Sequence, residues 1–238
     1  EVERESVAQM AIGLMNATAR RIVEGATLVK EGKWARRAKI ALGVDFNGAT
    51  IGLVGIGAIG KTVARILTHG FHAKVIAYDP YVDAKEVAAR DATKVEFDEL
   101  LARSAAISLH CPLTSETSRM FTAREFAKMN DGTLLVNTCR GEIFNQADLI
   151  AALESGRGGG YATDVVEGEP IDGRHVLLST PSVIVTPHLG GYSVVSLRGM
   201  GQTMVDDMRR VFVENGFPAV LANDGLGLSV SRIARFRK

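Results

Sequence analysis

Gly55, Gly57 and Gly60 stand in a G-x-G-x-x-G spacing, after the apolar run of residues 50–54 and at the start of a helical pattern that begins near Ala58. Each glycine has its own physical reason. Gly55 permits a tight turn, Gly57 leaves room for a phosphate group to reach the backbone, and Gly60 lets the helix lie close to the strand. The open N–H groups and positive end of that helix make an anion site. Nineteen positions beyond Gly60 the next apolar strand ends in Asp79. A carboxylate about 20 residues after the turn is where the ribose hydroxyls of a dinucleotide are held, and it repels the extra phosphate of NADP. Pro80 and Tyr81 follow it, with no arginine, so the spacing favours NAD.

A second set of residues could move a proton. Arg140, Glu169 and His188 each fall at or a few residues past the end of a predicted strand. A planar bidentate cation, a titratable base and a carboxylate that biases the base suit a substrate with a carboxylate beside a carbonyl or hydroxyl. Hydride transfer then has its acid. Taken singly, Arg140 reads equally as a helix or phosphate contact, Glu169 as a solvated loop acid and His188 as a histidine bonded to backbone. Their shared place at the edge of the glycine turn makes them a set.

These residues need a scaffold that brings strand ends together. Strand signals fall at 51–54, 74–77, 94–95, 106–109, 133–136, 160–165 and 183–185, with helix signals at 61–68, 84–89, 97–102, 123–129 and 146–154. Such alternation predicts an α/β fold, a doubly wound parallel sheet of Rossmann type, with its ligand crevice at the carboxyl ends of the strands. The residues placed there are His110 and Cys111, residues 137–140, Asp164, Pro187 and His188. Before the sheet, Val7, Ala11, Leu14, Thr18 and Ile22 repeat with helical period and predict one long helix over 6–29, capped by Ser6. Residues 31–48 form an arm holding Trp34, the only tryptophan, which reads as core filler first and interface anchor second. A last helix over 194–213 puts Leu197, Met200, Met204 and Met208 on one face, with the methionines as core filler. Asn215 and Gly216 end it. The resulting division is 1–49 for helix and arm, 50–192 for the dinucleotide-binding domain and 193–238 for the terminal helix and tail.

Composition is that of a soluble globular protein: 46% of 238 residues are apolar, and 28 basic against 27 acidic side chains leave a formal charge of +1. That balance gives no electrostatic reason for a nucleic-acid or membrane partner. The basic tail of Arg232, Arg235, Arg237 and Lys238 reads as a solvated end. No apolar run approaches the roughly 18–20 residues that span a bilayer, and residues 1–5 lack a signal-peptide pattern, so a cytoplasmic location is expected. Cys111 and Cys139 fit reduced thiols, and the five histidines show no paired metal-ligand spacing.

Over residues 7–215 the sequence resembles the D-isomer-specific 2-hydroxyacid dehydrogenases. The matching pieces are GLVGIGAIG at 52–60, HCPLT at 110–114, LLVNTCRGE at 134–142, ATDVVEGEP at 162–170 and TPHLGG at 186–191. The resemblance implies that Arg140 binds the substrate carboxylate, that His188 passes the proton to or from the 2-oxygen and that Glu169 bonds the imidazole. It implies NAD contacts at Gly55, Gly57, Ala58, Ile59, Gly60, Asp79, Pro80, His110, Cys111, Pro112, Thr117, Thr138, Cys139, Asp164, His188 and Gly190, with Asp164 facing the nicotinamide carboxamide. A small 2-keto or 2-hydroxy acid is the implied substrate, and a homodimer through residues 6–45 and Trp34 the implied assembly. Members carry a substrate domain of on the order of 100 residues, mostly before the first helix seen here. The residues that select the substrate are expected in that part. The alternative reading is an NAD-sensing corepressor-like module that binds the nucleotide without turnover.

Overall fold

The computed structural model describes residues 3–180, 182–214 and 216–219. They fall into two compact units, Glu3–Gly191 and a second that begins at Tyr192. The basic tail and Asn215 lie outside the described residues.

The first unit is built on seven strands: β1 Thr50–Val54, β2 Lys74–Tyr78, β3 Thr93–Lys94, β4 Ala106–Leu109, β5 Thr133–Asn137, β6 Gly158–Thr163 and β7 Val183–Val185. Their order is β3-β2-β1-β4-β5-β6-β7, and every pair is parallel. Strand order reverses between β1 and β4, and a crevice opens beyond their carboxyl ends. The predicted doubly wound sheet is therefore present. Alternate residues of each central strand face opposite layers, as a period of two requires. Ile51, Leu53, Val75, Ala77, Leu134 and Val136 join one core cluster, while Val54, Ile76, Leu135, Ile107 and Leu109 join the other.

Helices cover both faces. The first cluster takes in α1 (Arg4–Ala19), α3 (Ala58–Phe71) and Val87 of α4 (Ala84–Ala88). The second takes in α5 (Phe97–Arg103), α6 (Ala123–Lys128), α7 (Gln146–Glu154) and Leu177 of the short α8 (Val176–Ser179), which carries no signal in the sequence. Phe121, Phe126, Phe144 and Tyr161 interlock there, with neighbouring ring centroids 4.8–6.1 Å apart. Residues 166–171 and 186–188 leave this layer as loops, and those loops carry the site.

The structure corrects five expectations. The single helix over 6–29 is two, α1 and α2 (Ile22–Lys30), broken where Arg21 turns left-handed at φ 52° and its Nη2 donates to Gly159 O at 2.9 Å. The start of α1 is also earlier than Ser6, with Glu3 at the N-cap and no side-chain cap bond. Trp34 is 66% exposed on a 3-10 turn, Trp34–Lys39, and is not core filler. In the second unit, α9 (Val194–Phe212) exposes Leu197, Met204 and Met208, so these side chains do not fill a core. Strand β6 stops at Thr163, two residues before the predicted end, because the Thr163 hydroxyl accepts Val165 N at 3.1 Å and bends the chain away.

Candidate active site

The glycine turn follows β1 directly, and each glycine is forced by its surroundings in a different way. Gly55 has φ +92°, and a Cβ on it would meet His110 O at 2.6 Å, across the switch point from β4. A Cβ on Gly60 would lie 2.3 Å from Gly55 O. Gly57 differs: a Cβ there meets nothing within 4 Å and points into open space. Ala58, Ile59 and Gly60 form the first turn of α3, whose N-cap, Gly57, supplies no side-chain bond. The N–H groups of a first turn have no intrahelical acceptor, so they remain free for an anion.

Asp79 closes β2 and pins the turn. Its Oδ2 accepts Ile56 N at 3.0 Å and its Oδ1 accepts Tyr81 N at 3.0 Å. A carboxylate offers about four acceptor positions, so two remain for ribose hydroxyls. Arg90 grips the same turn by donating to Ile56 O at 2.7 Å. Gly55, Gly57, Asp79, Pro80, His110, Cys111, Pro112 and Thr117 line one cavity of about 210 Å³, so half of the predicted cofactor residues meet in one place. Tyr81 and Glu116 also line it and were not among the predicted residues; the Tyr81 hydroxyl donates to the Glu116 carboxylate, which raises its pKa. Their contact spans 35 positions of sequence and leaves no local signal.

Burial sets the electrostatics of this wall. The His110 ring nitrogens are buried without a partner among the described residues, and desolvation pushes the imidazole down to about 3, so it is neutral at physiological pH. Desolvation pushes the Cys111 thiol up to about 11 and raises that of Cys139 still more, and Cys139 Sγ donates to Leu109 O at 2.9 Å. Both shifts favour the protonated thiol over the nucleophilic thiolate at physiological pH. Thr138 Oγ1 is buried without a partner among the described residues, which suits a polar group arriving from the crevice. A free helix start, an unfilled space over Gly57, a carboxylate with spare acceptor positions and an orphaned hydroxyl together fit a dinucleotide.

The proton-handling residues stand on the next strand ends. His188 Nδ1 and Glu169 Oε1 are hydrogen-bonded, and Glu169 Oε2 accepts Val166 N at 3.0 Å. The two residues share a cavity of about 560 Å³ with Val166, Ile171, Leu178 and Val185. Arg140 is not joined to them: its Nη1 donates to Cys139 O at 2.6 Å within its own turn, and it makes no ion pair among the described residues. Its turn is nonetheless pressed against the Glu169 loop, since a Cβ on Gly141 would lie 2.1 Å from Glu167 N. Asn137 shapes that turn by accepting Cys139 N at 2.9 Å and donating to Arg140 O at 2.8 Å. Asp164 and Gly190 bond each other at the base of the His188 loop.

A parallel sheet that reverses order at a glycine turn, with a carboxylate on the next strand, defines a dinucleotide-binding domain. The chain belongs to the family of D-isomer specific 2-hydroxyacid dehydrogenases, whose NAD binding domain matches residues 12–190, and NAD is the cofactor of that domain. It is 39% identical over 214 residues to a hydroxypyruvate reductase of Thermotoga maritima, covering 89% of this chain and 67% of that protein. It is 36% identical over 213 residues to a D-3-phosphoglycerate dehydrogenase of Archaeoglobus fulgidus, covering 90% of this chain and 40% of that protein. Among solved structures, the holo D-mandelate dehydrogenase of Rhodotorula graminis superposes with a TM-score of 0.86 at 27% identity, over 94% of this chain and 66% of that one. The chain thus spans only part of the length of the proteins it matches.

Proposed function

We propose that this chain is the cofactor-binding and proton-handling part of an NAD-dependent oxidoreductase that moves a hydride between nicotinamide and C2 of a small D-2-hydroxy acid or 2-keto acid. The observation that carries this reading is the Glu169–His188 pair at the same sheet edge as the glycine turn. Bound NADH supplies the hydride. With Nδ1 engaged by Glu169, Nε2 of His188 is free to give its proton to the 2-oxygen as the carbonyl is reduced, and to take one back in oxidation. Arg140 pairs with the substrate carboxylate through its planar fork and turns the carbonyl toward the imidazole. Glu169 fixes the ring and offsets its positive charge.

The test is NADH oxidation against glyoxylate, pyruvate, hydroxypyruvate and phosphorylated 2-keto acids. Turnover with at least one is the expected result. A chain that binds NADH and oxidises none of them would lose this reading and become a nucleotide-binding module.

The assembly proposed with this function is a homodimer through the arm. α2 and the Trp34 turn bury none of their residues, and Ile22, Val23, Val29, Trp34 and Leu42 are all exposed. Clustered apolar surface of this kind suits a self-complementary interface with an aromatic anchor. Sedimentation should show a dimer that Trp34→Ala weakens at least about tenfold, the effect of losing one anchor of roughly 1.4 kcal/mol or more. A monomer at micromolar concentration would remove the dimer from the account.

A further inference from the structure

We propose that Glu116, held in place by the Tyr81 hydroxyl, is a specificity-determining residue of the nucleotide site: a second carboxylate, on the loop after β4, that sets NAD against NADP. The inference rests on the NAD site described above and deepens it, and it does not depend on turnover.

Asp79 and Glu116 belong to different elements, the end of β2 and the loop after β4, yet both line the cavity of about 210 Å³. Tyr81 joins them. Its N–H donates to Asp79 Oδ1 at 3.0 Å, and its hydroxyl donates to Glu116 Oε2. The backbone of Glu116 is fixed as well: Thr114 Oγ1 accepts Glu116 N at 3.2 Å, and the Thr117 hydroxyl ties the same turn to Pro112 O at 2.6 Å. A glutamate on an exposed loop otherwise spreads its charge over many rotamers. Here the phenol removes that freedom and keeps the carboxylate at the cavity.

Charge balance gives the pair its meaning. The described residues that line this cavity include two carboxylates and no lysine or arginine, and His110, which also lines it, is neutral. Arg90, the basic side chain bonded to the glycine turn, is already committed: its Nη1 donates to Ile56 O at 2.7 Å and its Nη2 lies 3.8 Å from Glu86 Oε2. The Tyr81 hydroxyl feels both acids, since its pKa is raised first by Glu116 and more weakly by the charge of Asp79.

A ribose with a free 2′-hydroxyl brings no charge into this field. A 2′-phosphate brings nearly two negative charges, with no cation there to offset them. Asp79 accounts for repulsion at the ribose itself, and Glu116 extends it across the cavity. One unit charge about 8 Å from a doubly charged phosphate in water changes affinity by about fivefold, which is the scale expected of an exposed carboxylate.

The experiment measures dissociation constants for NADH and NADPH without substrate, by titrating nicotinamide fluorescence in the parent chain, Glu116→Gln and Tyr81→Phe. Glutamine keeps the size of the side chain and still accepts from the phenol, so only charge is lost. NADPH should then bind about fivefold more tightly at about 20 mM salt, and NADH should change by less than about twofold. Tyr81→Phe frees the carboxylate and should give about half of that gain on a logarithmic scale. At about 500 mM salt, where the Debye length falls to about 4 Å, the parent and Glu116→Gln should converge. Both side chains are exposed, so melting temperatures should stay at the parent value. An NADPH-to-NADH affinity ratio that Glu116→Gln leaves unchanged would overturn the proposal. So would an equal change for both nucleotides, or a gain that persists at high salt, since neither is a charge effect on the 2′-phosphate. A Tyr81→Phe ratio equal to the parent's would overturn the tether. Absence of keto-acid reduction would defeat the functional reading alone, because the affinity ratios are measured without turnover.

Discussion

A Gly57→Ala chain is expected to keep its melting temperature and to bind NADH about 100-fold more weakly, a loss of roughly 2.7 kcal/mol. Gly57 has φ −68° and ψ −152°, a backbone conformation open to alanine, and its Cβ would touch nothing within 4 Å. The new methyl therefore costs the free protein little. It projects into the space from which a pyrophosphate reaches the start of α3, and there it displaces the ligand from the N–H groups. Gly60→Ala should do the reverse. Helix propensity alone favours alanine by about 1 kcal/mol, but the Cβ would sit 2.3 Å from Gly55 O, and backbone cannot swing aside as a side chain can. α3 has to retreat from β1, for a net loss of about 2–4 kcal/mol and a melting temperature lower by roughly 5–15 °C. Thermal melts paired with NADH titration read both variants. Unchanged affinity in Gly57→Ala, or an unchanged melt in Gly60→Ala, would show that the turn does not work as a steric cradle.

The sheet was legible because its evidence is local. Short, largely apolar runs at 51–54, 106–109 and 133–136, with polar or glycine positions close by at each end, leave little choice about strands, and helix signals between them leave little choice about parallel pairing. The Glu169–His188 pair was legible for a related reason: strand-end positions in such a sheet share one edge. What escaped was set by distant contacts. The apolar period of the first helix runs on past Arg20, and nothing nearby reveals that Arg21 will turn left-handed to reach a carbonyl 138 positions away. Trp34 and, in α9, Met204 and Met208 carry the composition of a core without being in one, since composition records what a residue could bury and not what lies opposite. The grip of Asp164 on Thr186, Leu189 and Gly190 was hidden because loop register, not periodicity, brings those donors together.

Replacing His188 by alanine should lower kcat by about 1000-fold, within the 100- to 10,000-fold range of a lost general acid, and leave NADH affinity within about threefold. The ring is 51% exposed and, among the described residues, its side chain bonds only Glu169, so its loss opens no cavity in the core. One confounding effect needs its own control. At φ 56° alanine carries a strain of roughly 1 kcal/mol that could loosen residues 186–190 and mimic loss of the acid. Asparagine tolerates the left-handed region, so His188→Asn keeps the loop in place while removing the imidazole, and it should show the same fall in kcat. Glu169→Gln probes the other half of the pair. An amide oxygen can still accept from Nδ1 or from Val166 N, so ring orientation survives, but the charge that offsets the imidazolium is gone, and kcat should fall by only about 10–100-fold. The order of these losses identifies the proton donor. If His188→Asn retained turnover within tenfold of the parent while Glu169→Gln did not, the carboxylate would be the acid and the imidazole its support.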